Sequence, residues 1–201
     1  MLIALFHAIT DLGDSAVTCA TVVVAAVVFL FYKQKRAALA IIVAFVFTAV
    51  LIILGKIILY SRCGDAPNTL FDLKSPSGHS AISVAVYGTL TIMIASSQSG
   101  KRRIIPYLLS IPFITLIVAS RVVLGAHSVS DVVVGSSIGL ISCLSVWGVF
   151  LKGEVTRCPW VPFSVVSLIV LGVLYGTHFP AEALIDWVAQ YIRLHIRSCS
   201  A

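Results

Sequence analysis

Six long apolar stretches constrain this chain more than any other feature. They run over residues 15–32, 37–60, 79–97, 104–121, 131–151 and 160–178. Each is close to the roughly 20 residues a helix needs to cross a hydrocarbon core of about 30 Å. Their many valines and isoleucines would favour strands in water. In lipid the backbone must satisfy its own polar groups, and a continuous apolar run does that as a helix. The alternation that a membrane barrel requires is missing. Composition agrees. Of 201 residues, 59% are hydrophobic and 11% charged, against about a quarter charged in soluble domains. A disordered chain and a nucleic-acid-binding tail are excluded, and a soluble enzyme lacks the charge to cover its surface. The expected fold is all-α: one membrane-embedded domain over 1–201, with six transmembrane helices and short interfacial helices at both ends.

The charges set the expected orientation. Lys33, Lys35 and Arg36 follow the first span, Lys101, Arg102 and Arg103 the third, and Lys152 and Arg157 the fifth. Alternate connectors share one side, and the positive-inside rule makes it cytoplasmic. These connectors hold eight of the 14 basic residues and one acid, Glu154, so the net charge of +6 reads mainly as an orientation signal. Both termini and the remaining loops then face outward. No Lys or Arg precedes Lys33, so the first span lacks the basic flank of a cleaved leader and is expected to be retained. Residues 2–10 and 181–197 read as the interfacial segments; the latter carries a polar stripe opposite an apolar one.

The remaining polar residues collect at the outer ends of the spans. Lys56 and Arg62 end the second span. Ser75, Pro76, Ser77, Gly78 and His79 lead into the third. Ser120 and Arg121 end the fourth, His127 follows, and Asp131 opens the fifth. Ionisable groups at membrane depth are costly and functional by default. Three cations suit a phosphate, and Arg presents a planar fork of donors. A tight turn at a helix start points unpaired N–H groups at an anion, and Gly78 lets the backbone approach closely. Two histidines and a carboxylate supply a nucleophile, its orienting partner and a general acid.

Ser120-Arg121, five residues, His127, three residues and Asp131 resembles the third signature of the type 2 phosphatidic acid phosphatase superfamily. Pro76-Ser77-Gly78-His79 resembles its second. The first signature, Lys, six residues and Arg-Pro, is met less closely: Arg62 follows Lys56 after five residues, and Cys63 stands where the proline would be.

The resemblance implies a lipid phosphate phosphatase. His127 would attack phosphorus and form a phosphohistidine, with Asp131 orienting its ring. His79 would protonate the leaving oxygen and then activate water. Lys56, Arg62, Ser77, Gly78, Ser120 and Arg121 would hold the phosphoryl oxygens. No metal or cofactor is implied. The implied partners are a lipid phosphate or diphosphate substrate (polyprenyl diphosphate, phosphatidate or phosphatidylglycerol phosphate) and membrane lipids, not nucleic acid. The implied location is a bacterial inner membrane with the site facing the periplasm. A phosphotransferase using the same pocket and a non-enzymatic transport component are the alternatives. Gly135 with Gly139, and Gly172 with Gly176, read as sites of close helix packing. Cys63 and Cys199 both face outward, so a disulfide between them is topologically allowed.

Overall fold

The computed structural model describes residues 2–60 and 75–152, with positions 172, 187, 188 and 191. Apart from those four positions, the expected sixth span and the 181–197 helix lie outside the described residues. So do Arg62, Cys63, Gly176 and Cys199. The described chain is all-helical. The helices are α1 (Leu2–Asp11), α2 (Ser15–Phe31), α3 (Lys35–Tyr60), α4 (Gly78–Ser96), α5 (Ile105–Val123) and α6 (Val129–Val146). A 3-10 turn, Gly100–Ile104, leads into α5, and a π turn, Trp147–Leu151, extends α6. Four of these segments are long and apolar enough to cross a membrane, or five if the bent pair α1–α2 counts as one. Trp187, Val188 and Tyr191 are helical and exposed, and the two rings stack 5.8 Å apart.

Spans two to five lie where the apolar runs predicted, with ends shifted by one to two residues for local reasons. Ser128 caps α6 and so starts it at Val129, ahead of Asp131. The α2–α3 connection turns on Lys33, which sits at φ 60°. There Gln34 N–H reaches back to Phe29 C=O at 2.8 Å, closing the end of α2. The residues expected to form the first interfacial segment, 2–10, are helical. They form α1, which packs against α5 and meets α2 at a 40° break.

Helix α4 is central and packs against α2, α3, α5 and α6. Its tightest neighbour is α6, and glycine makes that contact possible. A Cβ on Gly135 would collide with the Ser77 carbonyl oxygen, and one on Gly139 with the Ala81 carbonyl oxygen. The expectation for this pair therefore holds. At Gly172 a Cβ would meet nothing within 4 Å. The main core cluster includes Ala25, Phe29, Ala37, Ala40, Ile41, Ala44, Val86 and Met93. It fills the half of the bundle nearer the basic connectors. Large apolar side chains such as Val27, Phe31, Leu109 and Val149 are exposed, as suits surfaces solvated by lipid.

Candidate active site

Three helices begin at the end of the bundle away from the basic connectors, and each begins on a polar cap. Asp14 Oδ1 accepts from the Ala16 amide at 2.8 Å and starts α2. Ser77 Oγ accepts from the Ser80 amide and starts α4. Ser128 starts α6 in a capping box, its hydroxyl accepting from the Asp131 amide and Asp131 accepting from the Ser128 amide. These caps satisfy donors that a helix start leaves open. Helices α3 and α5 finish at the same end, bringing Lys56 and Arg121 to it.

Asp131 is the organising residue. It is 2% exposed. Its Oδ2 accepts from Ser128 N–H at 3.1 Å and lies 3.6 Å from His127 Nδ1. Its Oδ1 accepts from Ser75 N–H at 2.9 Å, and its backbone carbonyl accepts from Ser77 N–H at 3.0 Å. One residue thus aims His127 and fixes the turn that carries His79. With Nδ1 facing the carboxylate, Nε2 is the atom left for chemistry. Asp131 lies in the first turn of α6, where the helix dipole favours a negative charge.

His127 is placed by the end of α5. Gly125 adopts φ 68°. Its N–H bonds to Val122 C=O at 3.0 Å, and Ala126 N–H bonds to Arg121 C=O at 3.0 Å. This is the paired closure of a helix that a left-handed residue permits. His127 N–H also reaches Arg121 C=O, at 3.2 Å. The Arg121 backbone therefore helps to hold the histidine while its side chain points elsewhere: Nη1 donates to Thr10 Oγ1 at 3.2 Å.

On the other side of the site, His79 Nε2 lies 3.6 Å from Asp14 Oδ2. His79, Gly78 and Lys56 line a cavity of about 220 Å³ together with Gly13, Ser15 and five apolar residues, Phe45, Ala49, Ile52, Ile53 and Ile82. Lys56 is 2% exposed. The end of α3 abuts the α4 turn closely, since a Cβ on Gly55 would come within 3.3 Å of Pro76. A larger cavity of about 990 Å³ lies near the Lys101–Arg103 connector between α4 and α5. None of the candidate site residues lines it.

The two candidate serines already have structural duties. Ser77 Oγ accepts from Ser80 Oγ at 3.0 Å besides its cap. Ser120 donates to the Ile117 carbonyl at 2.6 Å and is fully buried. Among the described residues no group of three or more His, Cys, Asp or Glu side chains is placed to hold a metal.

Residues 59–154 match the model of the PAP2 superfamily. Over this stretch the chain is similar to the PAP2 superfamily. Members of the superfamily are phosphatases, which supports phosphoric ester hydrolysis in general for this chain. No curated protein and no solved structure matches it. The PAP2 stretch spans α4 to α6 and contains Ser77, Gly78, His79, Ser120, Arg121, His127 and Asp131. Lys56 lies just before it. The α1–α2 elbow, which brings Thr10 and Asp14 to the site, lies well outside it. Asp14 is not among the site residues that the sequence pointed to. Its one local signal was that of a helix cap, and nothing local pointed to His79.

Proposed function

We propose that this protein hydrolyses a lipid phosphate or lipid diphosphate at the outer face of a bacterial inner membrane. The observation that carries this reading is the two-part cavity under the site. Lys56, Gly78 and His79 are among its lining residues, at the end where α3 finishes and α4 begins. Its wall is apolar and follows α3 from Lys56 to Phe45, about 16 Å at 1.5 Å per residue. A phosphate head with an apolar tail fits that division, whereas a soluble phosphate ester would leave the apolar wall unused.

The proposed roles are those the family resemblance implies, and the His127–Asp131 contact supports them. His127 Nε2 attacks phosphorus in line with the leaving oxygen, and a P–N bond forms as the P–O bond breaks. Asp131 holds the Nδ1 side and stabilises the positive charge that develops on the ring. His79 gives a proton to the leaving oxygen, then takes one from the water that attacks the phosphohistidine. Lys56, Arg62, Arg121, Ser77 and the Gly78 amide offset the charge on the phosphoryl oxygens. Ser120 completes the set, although its hydroxyl proton is engaged with Ile117. The eight basic residues in the connectors away from the site support an outward site.

The test is phosphate release by purified protein in detergent from phosphatidate, phosphatidylglycerol phosphate and polyprenyl diphosphate, beside glycerol phosphate as a tail-less control. Turnover of at least one lipid well above the control, abolished in His127→Ala, is expected. Equal turnover of the control would remove the case for a lipid substrate.

A further inference from the structure

We propose that Asp14 is the positioning residue of His79, forming with it a second histidine–carboxylate pair that equips His79 to donate and retrieve the proton. This inference rests on the reading of His79 as the acid–base group. It adds to the site a residue from outside the PAP2 stretch.

Three observations carry it. First, Asp14 Oδ2 is 3.6 Å from His79 Nε2, and both side chains are largely withdrawn from solvent, at 8% and 13% exposure. Second, Asp14, like Asp131, caps a helix start and faces an imidazole, and it uses a separate oxygen for each task. One serves a helix-start amide, Ala16 N–H at 2.8 Å, and the other faces an imidazole. A helix cap alone needs a single acceptor, which Ser, Thr or Asn supplies equally well. Third, the elbow that carries Asp14 is held firmly. Tyr87 Oη donates to Leu12 C=O at 2.6 Å. A Cβ on Gly13 would lie 2.6 Å from Ile117 Cγ2 and 2.8 Å from Ser83 Oγ. Arg121 Nη1 binds Thr10. Helices α4 and α5 thus grip the elbow from two sides.

The arrangement assigns the two ring nitrogens. Nε2 faces Asp14 and keeps its proton throughout, so Nδ1 is the working atom. In the first step the Nδ1 proton passes to the leaving oxygen as the P–O bond breaks, and the ring becomes neutral. In the second step Nδ1 takes a proton from water while the water oxygen bonds to phosphorus and the P–N bond to His127 breaks. Proton and electron pairs balance over the cycle, and the carboxylate fixes which ring nitrogen works.

Asp14→Asn keeps the cap oxygen and the side-chain size but removes the charge. Asp14→Ser keeps a cap but does not reach the ring. Both are compared with wild type on dioctanoyl phosphatidate, whose leaving alkoxide needs a proton, and on p-nitrophenyl phosphate, whose leaving group does not. On phosphatidate each variant is expected to lose about 10²-fold in kcat, in the range of a general acid's contribution. With p-nitrophenyl phosphate a rapid burst of p-nitrophenolate persists and is followed by slow turnover, because dephosphorylation still needs His79. In a His79→Ala background, Asp14→Asn has no further effect. Wild-type rates on phosphatidate in both variants would overturn the proposal. So would loss of the burst together with turnover, or an undiminished Asp14→Asn effect in the His79→Ala background, since these mark a purely structural role. The underlying reading is tested separately by His127→Ala, which should abolish burst and turnover whatever occupies position 14.

Discussion

Replacing Gly135 by alanine adds one methyl group at a distance from every reacting atom, and its effect can be worked from the packing. The new Cβ would fall on the Ser77 carbonyl oxygen, 3.1 Å from Ser77 N and 3.2 Å from Ser77 C. All three are backbone atoms, so no side chain can rotate away. Reaching an ordinary contact of about 3.5 Å requires α4 and α6 to part by on the order of 1 Å. That displacement acts on the Ser77 N–H bond to Asp131 C=O and the Ser75 N–H bond to Asp131 Oδ1, now 3.0 and 2.9 Å. It shifts His79 relative to His127. Overpacking of this kind costs about 1–3 kcal/mol in stability. A 1 Å misplacement of catalytic groups costs about 10²-fold in rate. The assay is kcat on a lipid phosphate, with thermal unfolding in detergent as the fold control. Gly148→Ala is the paired control, because a Cβ there meets nothing within 4 Å; its activity should be unchanged. Wild-type activity in Gly135→Ala would refute the claim that the α4–α6 contact sets the site. So would equal losses in the two variants.

Other predictions follow from the same contacts. Asp131→Asn keeps one acceptor for the Ser75 and Ser128 amides and turns an amide NH₂ towards the other. Stability should fall by about 1–3 kcal/mol through that unsatisfied donor, while kcat falls by about 10⁴-fold through the wrong ring tautomer of His127. Urea titration and initial rates separate the two effects, and a rate loss under tenfold would contradict the role given to Asp131. Gly125→Ala places a side chain at φ 68° and should cost about 1 kcal/mol, read from the shift in denaturant midpoint. Orientation is testable in a background without the native cysteines. Ala126→Cys, beside the site, should react with a membrane-impermeant maleimide on intact spheroplasts. Ser99→Cys, beside the basic connector, should react only after lysis. The reverse pattern would place the site in the cytoplasm.

The bundle was legible because membrane helices are specified by long apolar runs, a signal each segment carries on its own. Spans two to five were found to within two residues. The residual error came from caps such as Ser128, which a hydropathy pattern does not see. Most of the candidate site was legible because the polar residues of a membrane bundle are few and the topology sorts them by side. Asp131 and His127 are four residues apart at a helix start, so their meeting could be expected from helical spacing. Asp14 and His79 meet only because the α1–α2 elbow packs into the groove between α4 and α5. That contact depends on Gly13, Tyr87 and Ile117 in the folded bundle and leaves no periodic trace. For the same reason the packing of α1 against α5 is not legible in residues 2–10, which read only as an interfacial segment. The duties of Ser77 as a cap and Ser120 as a donor to Ile117 likewise became visible only with the helix ends in place.

The central claim is that His127 carries the phosphoryl group. The most direct measurement is rapid quenching of the enzyme with a phosphate-labelled lipid substrate, followed by peptide mapping. With labelled p-nitrophenyl phosphate, whose leaving group needs no proton, His79→Ala should enrich the intermediate by slowing its hydrolysis. The account predicts label on His127 Nε2, stable to alkali, labile to acid and lost in His127→Ala. Label on another residue, or undiminished phosphate release in His127→Ala, would contradict it.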